Sequence, residues 1–184
     1  MLLVVDNGSV YTKNLTDFLD SKNLVYEIKK PYEIDLSLLS KFTSFILSGR
    51  RKNDPKINAI NSKIIKFSVA NNSKLLGICY GAEILAITLG GTIKRSDSLQ
   101  KGQESIHIIK DNLLVNESIN VFESHSFEIS KIPKNIICIG NSANCKFEII
   151  QVENQLIFGT QFHPEMSNDG QKLINSFCTL WRFY

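Results

Sequence analysis

The first ninety residues alternate short apolar runs with amphipathic stretches, and no other feature of the chain restricts its fold as much. Leu2-Leu3-Val4-Val5 is an uninterrupted apolar run closed by Asp6-Asn7-Gly8, the pattern of a buried strand followed by a turn. Leu15, Phe18 and Leu19 come next at i, i+3 and i+4, which is one face of a helix. A second strand is expected over 25–28, closed by Pro31, and a third over 45–47, ended by Ser48-Gly49. Ile57, Ile60, Ile64, Ile65 and Val69 mark a helix; 75–78 reads as a fourth strand, and 82–89 as a helix stopped at Gly90-Gly91. Strands and helices joined this tightly build a parallel sheet covered on both faces.

From about residue 92 the pattern changes to successive strand-like runs at 106–109, 120–123, 136–139, 147–152 and 156–160. These predict antiparallel hairpins that extend the sheet. A closing helix is expected over 171–182, with Leu173, Ile174, Phe177 and Leu180 on one face. No repeat or linker interrupts the chain, so its 184 residues read as one domain, 1–184. The expected fold is α/β, an open and mostly parallel sheet with helices on both faces and added antiparallel strands in the second half.

Composition excludes several functions. Hydrophobic residues at 43% and charged residues at 21% are ordinary globular usage, which excludes a disordered or fibrous chain. A net charge of +3 is too small for the basic field of a nucleic-acid binder. No apolar run approaches the ~20 residues of a membrane helix, and Asp6-Asn7 breaks the apolar start too early for a signal peptide. The expected location is the cytoplasm. The four cysteines, Cys79, Cys138, Cys145 and Cys178, contain no C-x-x-C pair, so neither zinc nor a redox pair is suggested and all four are read as reduced thiols.

In open α/β sheets, ligands bind beyond the carboxyl ends of the strands. At one such end stands Gly77-Ile78-Cys79-Tyr80-Gly81, the thiol counterpart of the G-x-S-x-G nucleophile elbow. Small flanking residues permit a tight turn, and the helix N-terminus behind the sulfur is expected to lower its pKa. By itself the pentapeptide fits a nucleophile or a small buried hydrophobe equally well. A second strand end carries Phe158-Gly159-Thr160-Gln161-Phe162-His163-Pro164-Glu165. There His163 could take a proton from Cys79, and Glu165 could hold the imidazole through its other nitrogen. His107 lies inside a strand pattern and reads as structural.

Gly77 to Gly81 together with Phe162 to Glu165 resembles the class I glutamine amidotransferases, whose triad is Cys, His and Glu in that chain order. The resemblance runs from Val4-Val5-Asp6-Asn7-Gly8 through Ile46-Leu47-Ser48-Gly49, the elbow, Leu89-Gly90-Gly91 and Ser124-His125 to the F-H-P-E segment. It implies a flavodoxin-like sheet and hydrolysis of L-glutamine without cofactor or metal. Cys79 would be the nucleophile, His163 the base and then acid, and Glu165 its orienting partner. The oxyanion would be held by the N–H groups of Tyr80 and Arg50, and substrate by Gly49, Glu83, Ser124 and His125. Within the family, Glu123-Ser124-His125 and Gly159 to Glu165 are most similar to the amidotransferase subunits of GMP synthases. That similarity implies delivery of ammonia to an ATP-dependent synthase subunit, the ATP-pyrophosphatase that aminates xanthosine monophosphate. A glutaminase partner of anthranilate or aminodeoxychorismate synthase, and a catalytically silent homologue that binds a partner, are the alternatives.

Two positions depart from the family pattern. Ser48-Gly49-Arg50-Arg51 replaces the usual G-G-P loop, and Glu83 stands where the family's elbow carries glutamine. Arg50 and Arg51 are expected to be solvated loop charges, with docking to an acidic partner or a phosphate as the sharper reading. Glu83 could pair with the substrate's α-ammonium, oppose the thiolate by like-charge repulsion, or merely favour the helix dipole.

Overall fold

Period-two alternation sends Leu2 and Val4 of strand β1 (Leu2–Val5) to one side of a sheet and Leu3 and Val5 to the other. The structure is a computed structural model that describes residues 1–180. Three more parallel strands, β2 (Tyr26–Lys29), β3 (Ser44–Leu47) and β4 (Lys74–Ile78), are linked by helices α1 (Thr12–Ser21) and α2 (Pro55–Asn71) and by 3-10 turns. Helix α3 (Tyr80–Thr88) follows β4. Then come β5 (Thr92–Ile108), β6 (Ile119–Lys131), β7 (Ile136–Asn141), β8 (Ile149–Val152), β9 (Ile157–Thr160) and helix α4 (Asn168–Thr179). The sheet order is β2-β1-β3-β4-β9-β8-β7-β5-β6. Strands β2, β1, β3, β4 and β9 run parallel, and the remaining four pair antiparallel.

Both faces of the parallel half are covered. Leu15, Phe18 and Leu19 of α1 and Leu173, Ile174 and Phe177 of α4 pack on Val4, Ile46, Leu76 and Phe158. On the other face Ile64 and Ile65 of α2 and Ala82, Leu85 and Ala86 of α3 pack on Leu3, Val5, Phe45, Leu75 and Ile157. Helix α2 starts where Asp54 accepts from the Lys56 and Ile57 amides, at 2.8 and 3.3 Å, with Pro55 in its first turn. It ends on Asn72 in the left-handed region, φ 53°.

The expected architecture holds, with corrected boundaries. The runs expected at 106–109 and 120–123 are parts of the far longer β5 and β6. Most of that ribbon lies outside the covered sheet and carries mixed polar and charged residues, so apolar runs do not delimit it. Helix α4 begins at Asn168 rather than 171, because Ser167 Oγ accepts from Gly170 N at 3.1 Å and starts it early. Trp181 and Arg182, placed in that helix by the sequence pattern, lie outside the described residues. Among the described residues no helix is long and apolar enough to cross a membrane. The carboxyl ends of β1, β3, β4 and β9 lie side by side, and the chain reverses there with Asn7, Gly49, Cys79 and His163.

Candidate active site

Strand β4 passes into α3 through one residue, Cys79, at φ 50° and ψ −103°. A side chain with a Cβ is strained in that region, and such strain persists only where the surroundings impose it. Here they do. The Cys79 amide donates to Thr160 O on β9 at 2.7 Å, and Cys79 O accepts from the Ala82 and Glu83 amides at 2.9 and 3.0 Å. The flanking glycines are needed for space: a methyl on Gly77 would strike the Gly81 carbonyl, and one on Gly81 the Leu47 carbonyl. The Tyr80 N–H, first of the helix, favours the charged form of the Cys79 sulfur.

The expected lowering of the thiol pKa does not survive. Burial pushes the Cys79 thiol well up, and Glu83, Glu123 and Glu165 push it further; only the Tyr80 amide opposes them. A helix N-terminus contributes a partial charge, which burial and three carboxylates outweigh. The resting sulfur is therefore a thiol, which would need a base to act as a nucleophile.

A candidate for that base stands one strand away. His163 follows β9, and its Nδ1 lies 2.8 Å from Glu165 Oε1 with both side chains buried. A carboxylate on Nδ1 fixes the proton there and leaves Nε2 as the acceptor. The backbone holds the ring in place, since His163 N donates to Phe122 O at 2.9 Å and Pro164 opens a 3-10 turn. The edge of Tyr11 meets the imidazole with centroids 4.6 Å apart, and the Tyr11 hydroxyl donates to Ser124 Oγ at 3.2 Å.

Gly49 is the close neighbour of this ring. A methyl there would lie 2.8 Å from His163 Cε1 and 3.3 Å from Ser9 Oγ. Gly49→Ala should therefore push the imidazole aside and lower kcat by about 10²-fold, the cost of roughly 1 Å of misplacement. Thermal unfolding of the variant should stay near wild type, and unchanged kcat would contradict the packing argument.

Arg50 is not the solvated charge expected from the sequence. Its Nη1 donates to Asn53 and Asn58 Oδ1 at 2.8 and 2.7 Å, and its guanidinium carbon sits 4.0 Å from the Tyr80 ring centroid. The Tyr80 hydroxyl donates to the same Asn58 oxygen at 2.8 Å, so α2, the loop and the elbow share one knot. Arg50 has this inward fit because a planar guanidinium stacks on an aromatic face while donating in its own plane. Its backbone forms an isolated bridge with Gly8. Arg51 is exposed, as expected.

Glu83 is buried, 6% exposed, and accepts from Gln161 Nε2 at 3.4 Å. Burial raises its pKa, while Arg50, Gln161, His125 and His163 hold it down. It is thus more than a helix-end acid. Because its charge is one that raises the thiol, Glu83→Gln should move the acid limb of the kcat/KM profile to lower pH. A KM increase of ten- to a hundredfold with an unmoved limb would instead make Glu83 a charge-assisted contact to substrate, worth about 1.5–3 kcal/mol.

All nine residues expected at the site thus lie around the ends of β3, β4 and β9 and the adjoining stretch of β6. Tyr11, Asn58, Gln161, Glu123 and Glu148 join them without having been expected. Gln161 is the informative one: its Nε2 also donates to Phe127 O at 3.2 Å and its Oε1 accepts from Ile129 N at 3.1 Å, pinning β6 to the elbow. A polar residue between two aromatic or β-branched neighbours at a strand end, as in Thr160-Gln161-Phe162, is the signal that marks it.

The family model described as Glutamine amidotransferase class-I matches residues 3–180, nearly the whole chain. The chain belongs to the class I glutamine amidotransferases. This amidotransferase is 26% identical over 188 residues to one of the subunits of the glutamine-hydrolyzing GMP synthase of Methanocaldococcus jannaschii, covering 97% of this chain and 96% of that one. It is 30% identical over 189 residues to the glutamine-hydrolyzing GMP synthase of Wolbachia pipientis wMel, and spans 36% of that longer protein. The chain therefore spans about a third of the length of the longer curated relatives it matches. A crystal structure described as that of a GMP synthase subunit from Thermoplasma acidophilum superposes with a TM-score of 0.85 at 25% identity, covering 96% of this chain and 91% of the other.

Proposed function

We propose that this amidotransferase hydrolyses L-glutamine through Cys79, His163 and Glu165 and passes the ammonia to an ATP-dependent synthase subunit that converts XMP to GMP. The observation that carries the reading is the His163 Nδ1 to Glu165 Oε1 contact of 2.8 Å, just past the end of β9, the strand that pairs with β4 and its strained Cys79 elbow. His163 Nε2 accepts the thiol proton as Sγ bonds to the amide carbon of glutamine. The same proton then goes to the departing nitrogen, which leaves as ammonia, and a thioester remains. Water, deprotonated by His163, cleaves that thioester to glutamate and restores the thiol.

Charge on the amide oxygen in each tetrahedral state needs fixed donors, each worth about 3 kcal/mol. The Tyr80 N–H is one, and the Ser48-Gly49-Arg50 loop supplies the other. The substrate's amino-acid end lies toward Glu83, Ser124 and His125. The assignment to GMP rather than anthranilate synthesis rests on the relatives whose full length this chain matches, which are named as subunits of glutamine-hydrolyzing GMP synthases. Mixing the purified chain with an ATP-pyrophosphatase subunit, XMP, ATP and amide-labelled glutamine tests it. Label appearing in GMP is the expected result; label released only as free ammonia in the presence of an active partner would overturn the partner assignment.

A further inference from the structure

A line of buried polar groups leads away from Cys79, and its far end, Glu123 and Glu148, has no part in the chemistry above. Glu83 accepts from Gln161, and Gln161 donates to Phe127 O. His125 Nδ1 shares that same carbonyl at 2.9 Å. His125 Nε2 lies 2.8 Å from Glu123 Oε2, and the buried Glu148 is an electrostatic neighbour of Glu123. Glu148 ends the line by accepting from Ser142 Oγ at 2.7 Å. His125, Glu123 and Glu148 are 5%, 4% and 1% exposed.

The protons along this line can be counted from its geometry. Phe127 O is a carbonyl and can only accept, so His125 Nδ1 carries hydrogen. Nε2 and Glu123 Oε2, at 2.8 Å, would oppose lone pair to lone pair without a proton between them. That contact bends away from the ring N–H axis, which makes it an ion pair more than a linear hydrogen bond. The carboxyls need a second proton, since Glu148 Oε2 is buried without a hydrogen-bond partner among the described residues and Glu123 has the bent contact with His125 Nε2 beside it. Neighbouring buried carboxyls strongly disfavour double ionisation.

We propose that Glu148, Glu123 and His125 hold two shared protons, and that Glu123 and Glu148 are thereby positioning residues that keep His125 an imidazolium beside the Cys79 pocket. With two protons shared among them besides the one on Nδ1, the imidazole and the two carboxyls together carry no net charge. That matters because the thiol is already opposed by Glu83, Glu123 and Glu165. A neutral His125 would leave the pocket more negative and repel the carboxylate of an amino-acid substrate. This consequence rests on the glutaminase reading; the proton count does not.

The groups facing the line give the pH range. Ser142, after β7, donates to Glu148; Glu104 on β5, Cys145 after β7 and Cys138 within β7 are its electrostatic neighbours, as Cys79 is of Glu123 and Glu83 of His125. Burial, then Glu123, pushes Glu148 up to about 9. For His125, burial alone would lower the pKa, but the contacts with Glu123 and Phe127 O raise it. A carboxyl raised on folding stabilises the fold at low pH, and that contribution is lost as pH climbs from the ordinary value of about 4.3 to about 9. The Tm of Glu148→Gln should therefore fall less steeply over that window than wild type.

The test uses the whole chain labelled with ¹⁵N-histidine, together with infrared spectra of its carboxyl groups. Near neutral pH both His125 nitrogens should be protonated, and a carbonyl band of an un-ionised carboxylic acid should be present. That band should vanish in Glu148→Gln, whose amide can still donate to Glu123 and accept from Ser142. Glu123→Gln should make His125 neutral and raise KM for glutamine about tenfold with less effect on kcat, and Glu123→Asp should restore part of the loss. A neutral His125 in wild type, or no acid band, overturns the proposal. Neither spectroscopic readout depends on turnover, so a chain that failed to hydrolyse glutamine would refute the glutaminase reading and leave this one to its own data.

Discussion

Replacing Cys79 by alanine should abolish glutamine hydrolysis, a loss of about 10⁴-fold or more, with the fold intact. The magnitude follows from the chemistry: without sulfur no thioester forms, and only binding and the oxyanion donors remain to help water. The stability expectation follows from the elbow. Its shape is imposed by backbone bonds, Cys79 N to Thr160 O and Cys79 O to Ala82 and Glu83 N, and by contacts at Gly77 and Gly81. Alanine keeps all of these and inherits the same positive φ. Rate and Tm measured together check both halves.

His163→Asn should cost at least about 10²-fold in kcat, because the thiol is held protonated and its proton must be taken during attack. Glu165→Gln should cost less, since the carboxylate supports the ring and does not itself transfer the proton. An amide at 165 can still present its oxygen to Nδ1, but it can no longer stabilise the imidazolium that forms. Steady-state rates for both variants over a range of pH check the order. A larger loss in Glu165→Gln than in His163→Asn would contradict the assigned roles.

The parallel half of the fold is legible in the sequence because a strand buried on both faces has to be apolar throughout. Leu2–Val5, Phe45-Ile46-Leu47 and Leu75-Leu76 could hardly be anything else. The β5–β6 ribbon is not legible for the opposite reason. Lys94, Arg95, Asp97, Lys101 and Glu104 are interspersed with small and polar residues along a strand that is mostly outside the core. At the site, Cys79, His163 and Glu165 stand out because each sits at a strand end beside glycine or proline. What the sequence could not convey is summed electrostatics. The elbow's helix suggests a lowered thiol pKa, whereas Glu123, 44 residues away in sequence, and burial together decide the sign. The setting of Arg50 is not legible in the sequence either, because Asn58 on α2 and the Tyr80 ring meet it only in the folded chain.

The central claim, that Cys79 alone among four thiols is activated by a neighbouring base, is tested most directly by an electrophilic glutamine analogue followed by peptide mapping. Burial raises the other three as well: Cys138 and Cys145 lie above the ordinary range, and Cys178 is pushed up to about 11. Resting acidity therefore does not distinguish them, and only a base aimed at the sulfur can. Label confined to Cys79, suppressed by L-glutamine and lost in His163→Asn, is the predicted result. Label spread over Cys79, Cys138, Cys145 and Cys178, or indifferent to glutamine, would contradict it.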